Sequence, residues 1–546
     1  MTRGRRGSKL VAAAAVAGAS IAGIALAAPG DLDPKFGKHG KLEFSISGGE
    51  ESIDDIAVLG DGRMVVAGTT TDIGEDFFPE IGLARLQPNG RFDESFGGDG
   101  KVGFNFADSS EGETGLGVQA DGKVVVSGDA GFELARLNTN GSPDTTFSGD
   151  GFEVTDLPGV TNESAADLVL LSDGRILVGG SSKVGGARKW TLARYTAAGV
   201  LDQTFSGNGF ANTDFPGEGG ITDLAIQADG RIVAAGNSGD RMALARYMPD
   251  GGLDPSFSSD GQLSSDAGSS VTGLALDGSG RIVTSNLAAG AFSVARFTAG
   301  GDPDPAFSGD GFQQVRFGGQ PSFSNAVVAL PDGGVVAVGG ARHTAKSTED
   351  DFAIAELKEN GDLQKSFSND GRATTDFFCD EVDEARSVAL LPDGRLIVGG
   401  SCQYSFVRGQ FTNGNFALAR YLSEPGKHDA DADAVLDKRD RCPEAFGPRK
   451  GRGCGVVKRS FIRVRSDKGH LAGELASLAV DCELNQKVTL IRNAGGRDQV
   501  VDTVRSPRGS FKFKIKKGAT YKVRTGKHLE RRAGYCTQAT SAPVKP

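Results

Sequence analysis

Tryptophan occurs once, histidine five times and cysteine six times in 546 residues. That leaves little material for a metal centre built from several His or Cys ligands. No apolar run after the first 28 residues is long enough to cross a bilayer. The sequence has no G-x-S-x-G, H-E-x-x-H or phosphate-loop motif, and no segment with a sustained helical period. Positive charge is scarce through most of the chain. Residues 29–454 carry a net charge of −27, residues 455–546 one of +13, and the whole chain −10. An acidic body with a basic tail argues against binding duplex nucleic acid, because phosphate is repelled over most of the surface. Glycine and phenylalanine are abundant instead, with 81 Gly and 32 Phe against 6 Tyr. Hydrophobic residues make up 38%, enough for a core.

Residues 1–28 read as an export signal. Met1–Lys9 is basic, Leu10–Ala28 is apolar and Ala-rich, and Ala25-Leu26-Ala27 is a small-x-small cleavage site before Pro29-Gly30. The expected location is secreted, extracellular or cell-surface. An even number of cysteines fits an oxidising compartment.

Three signatures recur seven times in the same order through residues 31–421. The first is L-D-x-x-F-x-x-D-G, with its phenylalanine at Phe36, Phe96, Phe147, Phe205, Phe257, Phe307 and Phe367. The second is an Asp-Gly-Arg/Lys turn before an apolar run, as at Asp61-Gly62-Arg63. The third is Leu-Ala-Arg, whose arginines are Arg85, Arg136, Arg194, Arg246, Arg296 and Arg420, with Glu356 in the sixth unit. Each unit holds four short strand candidates, in the second unit Lys101–Phe106, Gly115–Gln119, Lys123–Ser127 and Phe132–Leu137. The Asp-Gly pair predicts a two-residue hairpin turn. Four antiparallel strands every 50–60 residues describe a propeller blade. The expected fold is an all-β, seven-bladed β-propeller over residues 29–422. Its ring is expected to close by packing blade one on blade seven without a swapped strand.

Strand alternation puts the Asp-Gly turns and the L-D-x-x-F loops on one face. The other face carries loops of unequal length: Thr69–Glu80, Ala341–Asp351 and Cys402–Asn415 are long, Asn237–Arg241 short. Those loops are acidic, with Glu75, Asp76 and Glu80; Glu111 and Glu113; Glu349, Asp350 and Asp351; and Asp380, Glu381, Asp383 and Glu384. Function concentrates on variable loops over a rigid scaffold, so this face is the expected binding surface. The recurring arginine is expected to hold blades together, paired with an Asp of the adjacent Asp-Gly turn. Locality pairs Cys379 with Cys402, Cys442 with Cys454, and Cys482 with Cys536. Taken together, L-D-x-x-F-G-x-D-G, P-D-G-[RK]-[IV]-V-[VA]-x-G and F-A-L-A-R-[YF] resemble the delta-60-repeat family of bacterial secreted and surface proteins. The resemblance implies a propeller-like β fold and leaves the chemistry open.

Residues 423–454 form a linker in which Asp429, Asp431, Asp433, Asp437 and Asp440 precede Cys442-Pro443. Carboxylates at this spacing converge oxygens on one hard cation, Ca²⁺. The pattern resembles a thrombospondin type 3 repeat, with Ala434 standing where glycine is expected. Residues 455–546 alternate apolar and charged positions, as in Phe511-Lys512-Phe513-Lys514-Ile515-Lys516, and predict a small basic β-sandwich. The expected protein is a monomeric, non-enzymatic interaction protein with a cell-wall, glycan or protein partner, no nucleic acid and no membrane span in the mature chain. The alternative is an extracellular glycan-active lyase or hydrolase working on the variable face.

Overall fold

The computed structural model describes residues 28–71, 79–106, 115–129, 131–342, 350–377, 379, 382–407 and 410–423. Beyond these it describes the backbone of strands between 456 and 536. The first region is a ring of seven four-stranded antiparallel sheets. Blade one runs from its inner strand Glu51–Val58 through Met64–Thr71 and Pro79–Leu86 to its outer strand Lys101–Phe104. Blades two to six repeat this order.

The cut between blades differs from the expectation. Lys101–Phe104 does not open blade two; it is the outer strand of blade one, paired with Pro79–Leu86. Each L-D-x-x-F signature therefore sits inside a blade, between its third and outer strands. The ring consequently closes by a strand exchange, which corrects the expected closure. Lys41–Phe44 pairs antiparallel with Gln410–Tyr421, as the outer strand of the blade built from Asp383–Leu390, Leu396–Val407 and Gln410–Tyr421. Where the chain enters and leaves the ring, Gly30 N–H donates to the Leu422 carbonyl at 2.8 Å. The physical reason is the unpaired edge that a three-stranded seventh blade would expose.

The Asp-Gly turn is also one residue longer than predicted. In blade one Leu59 N–H donates to Arg63 O, and Gly62 N–H to Leu59 O, so Gly60, Asp61 and Gly62 form a three-residue loop. Gly62 alone takes the left-handed conformation (φ 80°), the pattern of a type I turn with a bulge. Asp61 stays right-handed and accepts the Arg63 N–H on Oδ1. Residues 402–407 and 410–415, expected within a long loop, extend two paired strands, with Cys402 opposite Asn415 and Val407 opposite Gln410.

Seven apolar clusters lie between neighbouring blades, one at each junction. Each holds one of the recurring phenylalanines, all fully buried. The Phe36 cluster joins blade seven to blade one through Phe44, Ile53, Ile397 and Phe416. Inner strands carry a recurrent bulge, for example between Ile53 and Asp55 and between Ile221 and Asp223. The bulge explains the glycine that ends the P-D-G-R-I-V-x-x-G run. A Cβ on Gly236 would lie 2.0 Å from the Gly220 carbonyl oxygen of the bulged strand.

Among the described residues no helix is long and apolar enough to cross a membrane. Past residue 455 the strand backbone forms three-stranded sheets. In one of them Gln486–Ala494 lies between Arg497–Ser506 and Thr520–Thr525. The alternating segment Phe461–Asp467 pairs with His470–Ala476, which pairs with Ser510–Lys514. Asp429, Asp431, Asp433, Asp437 and Asp440 lie outside the described residues, as do the Cys442–Cys454 and Cys482–Cys536 pairings.

Candidate functional site

The recurring arginines are bound up in the scaffold. Each pairs at 2.7–2.9 Å with the aspartate of the L-D-x-x-F signature: Arg85 with Asp93, Arg136 with Asp144, Arg194 with Asp202, Arg246 with Asp254, Arg296 with Asp304 and Arg420 with Asp33. This corrects the expected partner, the aspartate of the Asp-Gly turn. The turn's basic residue joins the same carboxylate instead, as Arg63 does with Asp93 at 2.9 Å. Every guanidinium also lies 4.7–5.0 Å over the phenylalanine of its own unit. Its Nη1 then donates across the junction to a carbonyl of the next blade: Thr139, Ala197, Pro249, Ala299, Glu359 or Pro88. One arginine thus ties a turn, a ring and a neighbour together, and no cationic ring is left for an anionic ligand.

The carboxylates respond to this setting. Burial alone would raise Asp93, Asp202 and Asp254. The hydroxyls of Ser95, Thr204 and Ser256, together with the guanidinium groups, outweigh it and hold each carboxyl at about 2. In blade six the whole set changes at once. Glu356 replaces the arginine, Gln364 the aspartate and Gly334 the basic turn residue, yet Gln364 N–H still donates to Glu356 O at 2.8 Å.

The inner-strand bulges bring a second group of carboxylates to the axis of the ring. Asp55, Asp167 and Asp223 occupy the same strand position in blades one, three and four. Each reaches sideways to a neighbour's backbone: Asp55 accepts Leu116 N–H at 3.2 Å, Asp167 accepts Leu224 N–H at 2.9 Å and Asp223 accepts Leu274 N–H at 2.6 Å. Burial pushes the Asp55 carboxyl up to about 6 against the Ile56, Leu116 and Ser387 hydrogen bonds. Burial likewise pushes Asp223 up to about 7, with backbone bonds and a hydrogen bond to Asp167 acting against it. Asp167 is raised well above the usual range by burial, then by the negative charges of Asp223 and Asp55. Burial raises both carboxyls, so each holds its proton to higher pH than an ordinary aspartate. Composition did not single these residues out among the chain's many carboxylates. The available signal was the recurring Asp-apolar pair before each turn: Asp55-Ile56, Asp167-Leu168 and Asp223-Leu224.

On the variable face the structure brings Asp351, Asp376 and Asp383 together at the step from blade six to blade seven. Beside them is the Cys379–Cys402 disulfide, with its Cα atoms 5.8 Å apart, as locality predicted. Burial pushes Asp383 up to about 7, reinforced by Asp376 and Asp351. Of the acidic loop residues, Glu75, Asp76, Glu111, Glu113, Glu349, Asp380 and Glu381 lie outside the described residues. A polar depression of about 290 Å³ on the same face lies between blades three and four, over Ser181, Arg188, Glu218 and Asn237. A larger one, about 600 Å³, sits away from all these carboxylates, against Ser206, Asn208, Thr213 and Gln262.

Seven four-stranded blades built from one repeating unit define a β-propeller repeat protein. The chain matches the family described as a domain of unknown function (DUF5122) beta-propeller at residues 59–96, 119–147, 171–205 and 227–257. Each matched segment runs from an Asp-Gly turn to the next buried phenylalanine, so it contains the arginine and its aspartate. No curated protein matches the chain. Among solved structures it is similar to a streptogramin B lyase, at 12% identity and TM-score 0.42, covering 70% of this chain and 97% of that one. It is also similar to YCF48 bound to D1 peptide, at 11% identity and TM-score 0.39, covering 72% and 98%. A third is the PQQ-bound aldose sugar dehydrogenase from Streptomyces coelicolor, at 14% and 0.32, covering 56% and 93%. Likenesses this loose carry no argument about chemistry.

Proposed function

We propose that this chain is a secreted or cell-surface interaction protein without catalytic activity, a delta-60-repeat propeller that offers its variable face to a cell-wall, glycan or protein partner. One observation carries the reading. The residues that recur in the units are spent on joining blades, while the unrepeated chemistry gathers on the other face and along the axis. The chain enters and leaves the ring at the turn face, beside Gly30 and Leu422, which leaves the variable face clear of both connections. In this reading Asp429, Asp431, Asp433, Asp437 and Asp440 bind Ca²⁺ as a thrombospondin type 3-like segment, and residues 455–546 fold as a basic β-sandwich. Calcium titration of the full chain against an Asp431→Asn, Asp433→Asn variant tests the linker; identical heats would remove it from the proposal. The interaction reading is tested by cell-wall and glycan capture with the full chain, against a variant carrying Arg188→Glu and Glu218→Arg on the variable face. Undiminished capture by that variant would refute the assigned surface.

The Asp167–Asp223 pair favours a second reading, a glycan lyase or hydrolase using the two carboxyls as acid and base. Asp167→Asn and Asp223→Asn variants should then lose turnover on a polysaccharide panel. Turnover equal to that of the unaltered chain would exclude this pair as the catalytic one.

A further inference from the structure

The three carboxylates at the blade six–seven step come from separate elements. Asp351 lies in the third strand of blade six, Asp376 just after its outer strand, and Asp383 at the start of the inner strand of blade seven. One oxygen of each lies within 4.8 Å of the other two. Asp351 and Asp383 are buried, at 7% and 2% exposure. Asp383 Oδ2 accepts the Phe377 N–H at 2.5 Å, while its Oδ1 is buried with no hydrogen-bond partner among the described residues. A buried carboxylate oxygen without a partner is costly, and a bound cation would satisfy it. Lys41 stands beside the group; its ammonium donates to the Asp376 carbonyl at 2.7 Å and lies 5.3 Å from the Phe377 ring centre.

The geometry points to a binding site for one hard divalent cation, Ca²⁺, held by Asp351, Asp376 and Asp383. Calcium–oxygen distances of about 2.3–2.6 Å place ligand oxygens up to about 5 Å apart across the ion. Three oxygens within 4.8 Å of one another can share one such ion. An all-carboxylate set suits calcium, which takes oxygen ligands without demanding near-ideal octahedral geometry. The loop from Asp376 to Asp383 contains Cys379, and Cys402 stands opposite Asp383 in register. The disulfide therefore holds the ligands near one another before the ion arrives, which reduces the ordering that binding must supply. This site is separate from the five linker aspartates, and it would brace the same face on which the partner is proposed to dock.

Isothermal titration with CaCl₂ on the full mature chain carrying Asp431→Asn and Asp433→Asn isolates the site from the linker. One site is expected, with extracellular-grade affinity on the order of 10⁻⁴–10⁻³ M. Adding Asp383→Asn or Asp376→Asn should each weaken it at least tenfold. Asp383→Asn should not lower the thermal midpoint in EDTA, since it removes a buried negative charge; a purely structural aspartate would lower it. Binding unchanged by either amide overturns the assignment. So does the absence of binding at about 10 mM calcium in the linker variant. If the unaltered chain still binds, only the linker proposal survives; if it does not, both fail.

Discussion

Replacing Arg246 with methionine isolates what one junction arginine contributes. Methionine keeps the unbranched apolar stem and removes the guanidinium. Three bonds go with it: Nε to Asp254 Oδ2 at 2.8 Å, Nη2 to Ser256 Oγ at 2.9 Å, and Nη1 to the Ala299 carbonyl of blade five. Its contact with the Phe257 ring at 5.0 Å is lost as well. Breaking a buried ion pair from one side costs about 3–5 kcal/mol. Asp254 is not abandoned, because Arg231 Nε remains at 2.8 Å and Ser256 still donates twice. The expected loss therefore lies at the lower end, about 3 kcal/mol. Trp190 reports on it. It is the chain's one tryptophan, 1% exposed in the core between blades three and four, with its indole N–H on the Asn237 carbonyl at 2.8 Å. Urea unfolding followed by Trp190 fluorescence should shift by that amount. Asp254→Asn in the Arg246→Met background should add less than it does alone, with a coupling of about 2 kcal/mol, because the charge stranded by the first change is gone. The low Asp254 carboxyl fixes the pH window. Its folded value near 2 lies below the unfolded value of about 3.9, so its contribution is complete above about pH 4 and disappears as pH falls toward 2. A loss under about 1 kcal/mol, or strict additivity of the two changes, would refute the account of the junction.

The axial carboxylates have the opposite sign. Asp55 near 6 and Asp223 near 7 lie above the unfolded value, so the folded ring binds more protons and loses stability as pH rises from about 4 to 7. Asp223→Asn should flatten that fall in a series of thermal melts, and an unchanged slope would count against a raised Asp223 carboxyl. Gly236→Ala should cost more than 2 kcal/mol in urea, roughly the scale of a backbone clash, because its Cβ meets the Gly220 carbonyl. Gly62→Ala, with φ at 80° and Pro88 no nearer than 3.4 Å, should cost only about 1 kcal/mol. Cys379→Ser with Cys402→Ser should lower stability by about 3 kcal/mol through the 23-residue separation it releases. An unaltered urea midpoint would place the disulfide outside the stability of blade seven.

What was legible in the sequence was whatever repeats. The seven phenylalanines, the strand candidates and the two faces follow from spacing, because each unit must solve the same packing problem. Cys379 and Cys402 were legible because alternating strands return to one end of a blade. The cut between blades was not legible, since a repeating pattern reads the same from any starting point. Only the pairing of Lys41–Phe44 with Gln410–Tyr421 sets it. Asp-Gly suits both a two-residue and a three-residue turn, and Asp61 accepting Arg63 N–H decides for the longer one. The axial carboxylates depend on a bulge that moves one residue across the strand; the recurring glycine opposite it and the Asp-apolar pairs mark it only once the strand pairing is known.

The strand exchange at the seam has a topological consequence. The turn from Gln87 to Arg91 is held by Gly90 N–H on Gln87 O at 2.9 Å and Gln87 N–H on Arg91 O at 2.7 Å. At the seam, Gly30 N–H on Leu422 O at 2.8 Å and Leu422 N–H on Asp31 O at 2.9 Å draw the same turn from two distant pieces of chain. Ala28 and Pro29 fill the arc of Pro88 and Asn89: the Pro29 carbonyl accepts the Ser368 N–H at 2.8 Å, as that of Asn89 accepts the Gly37 N–H at 3.0 Å. In everything but covalent continuity the ring is a circle, and the place where it is open is only one of seven equivalent positions. Splicing Leu422 to Gly30 through two residues and opening another Asn-Gly turn would give a chain with a different order of residues and the same set of contacts. Such a molecule would separate the order in which blades are synthesised from the order in which they assemble.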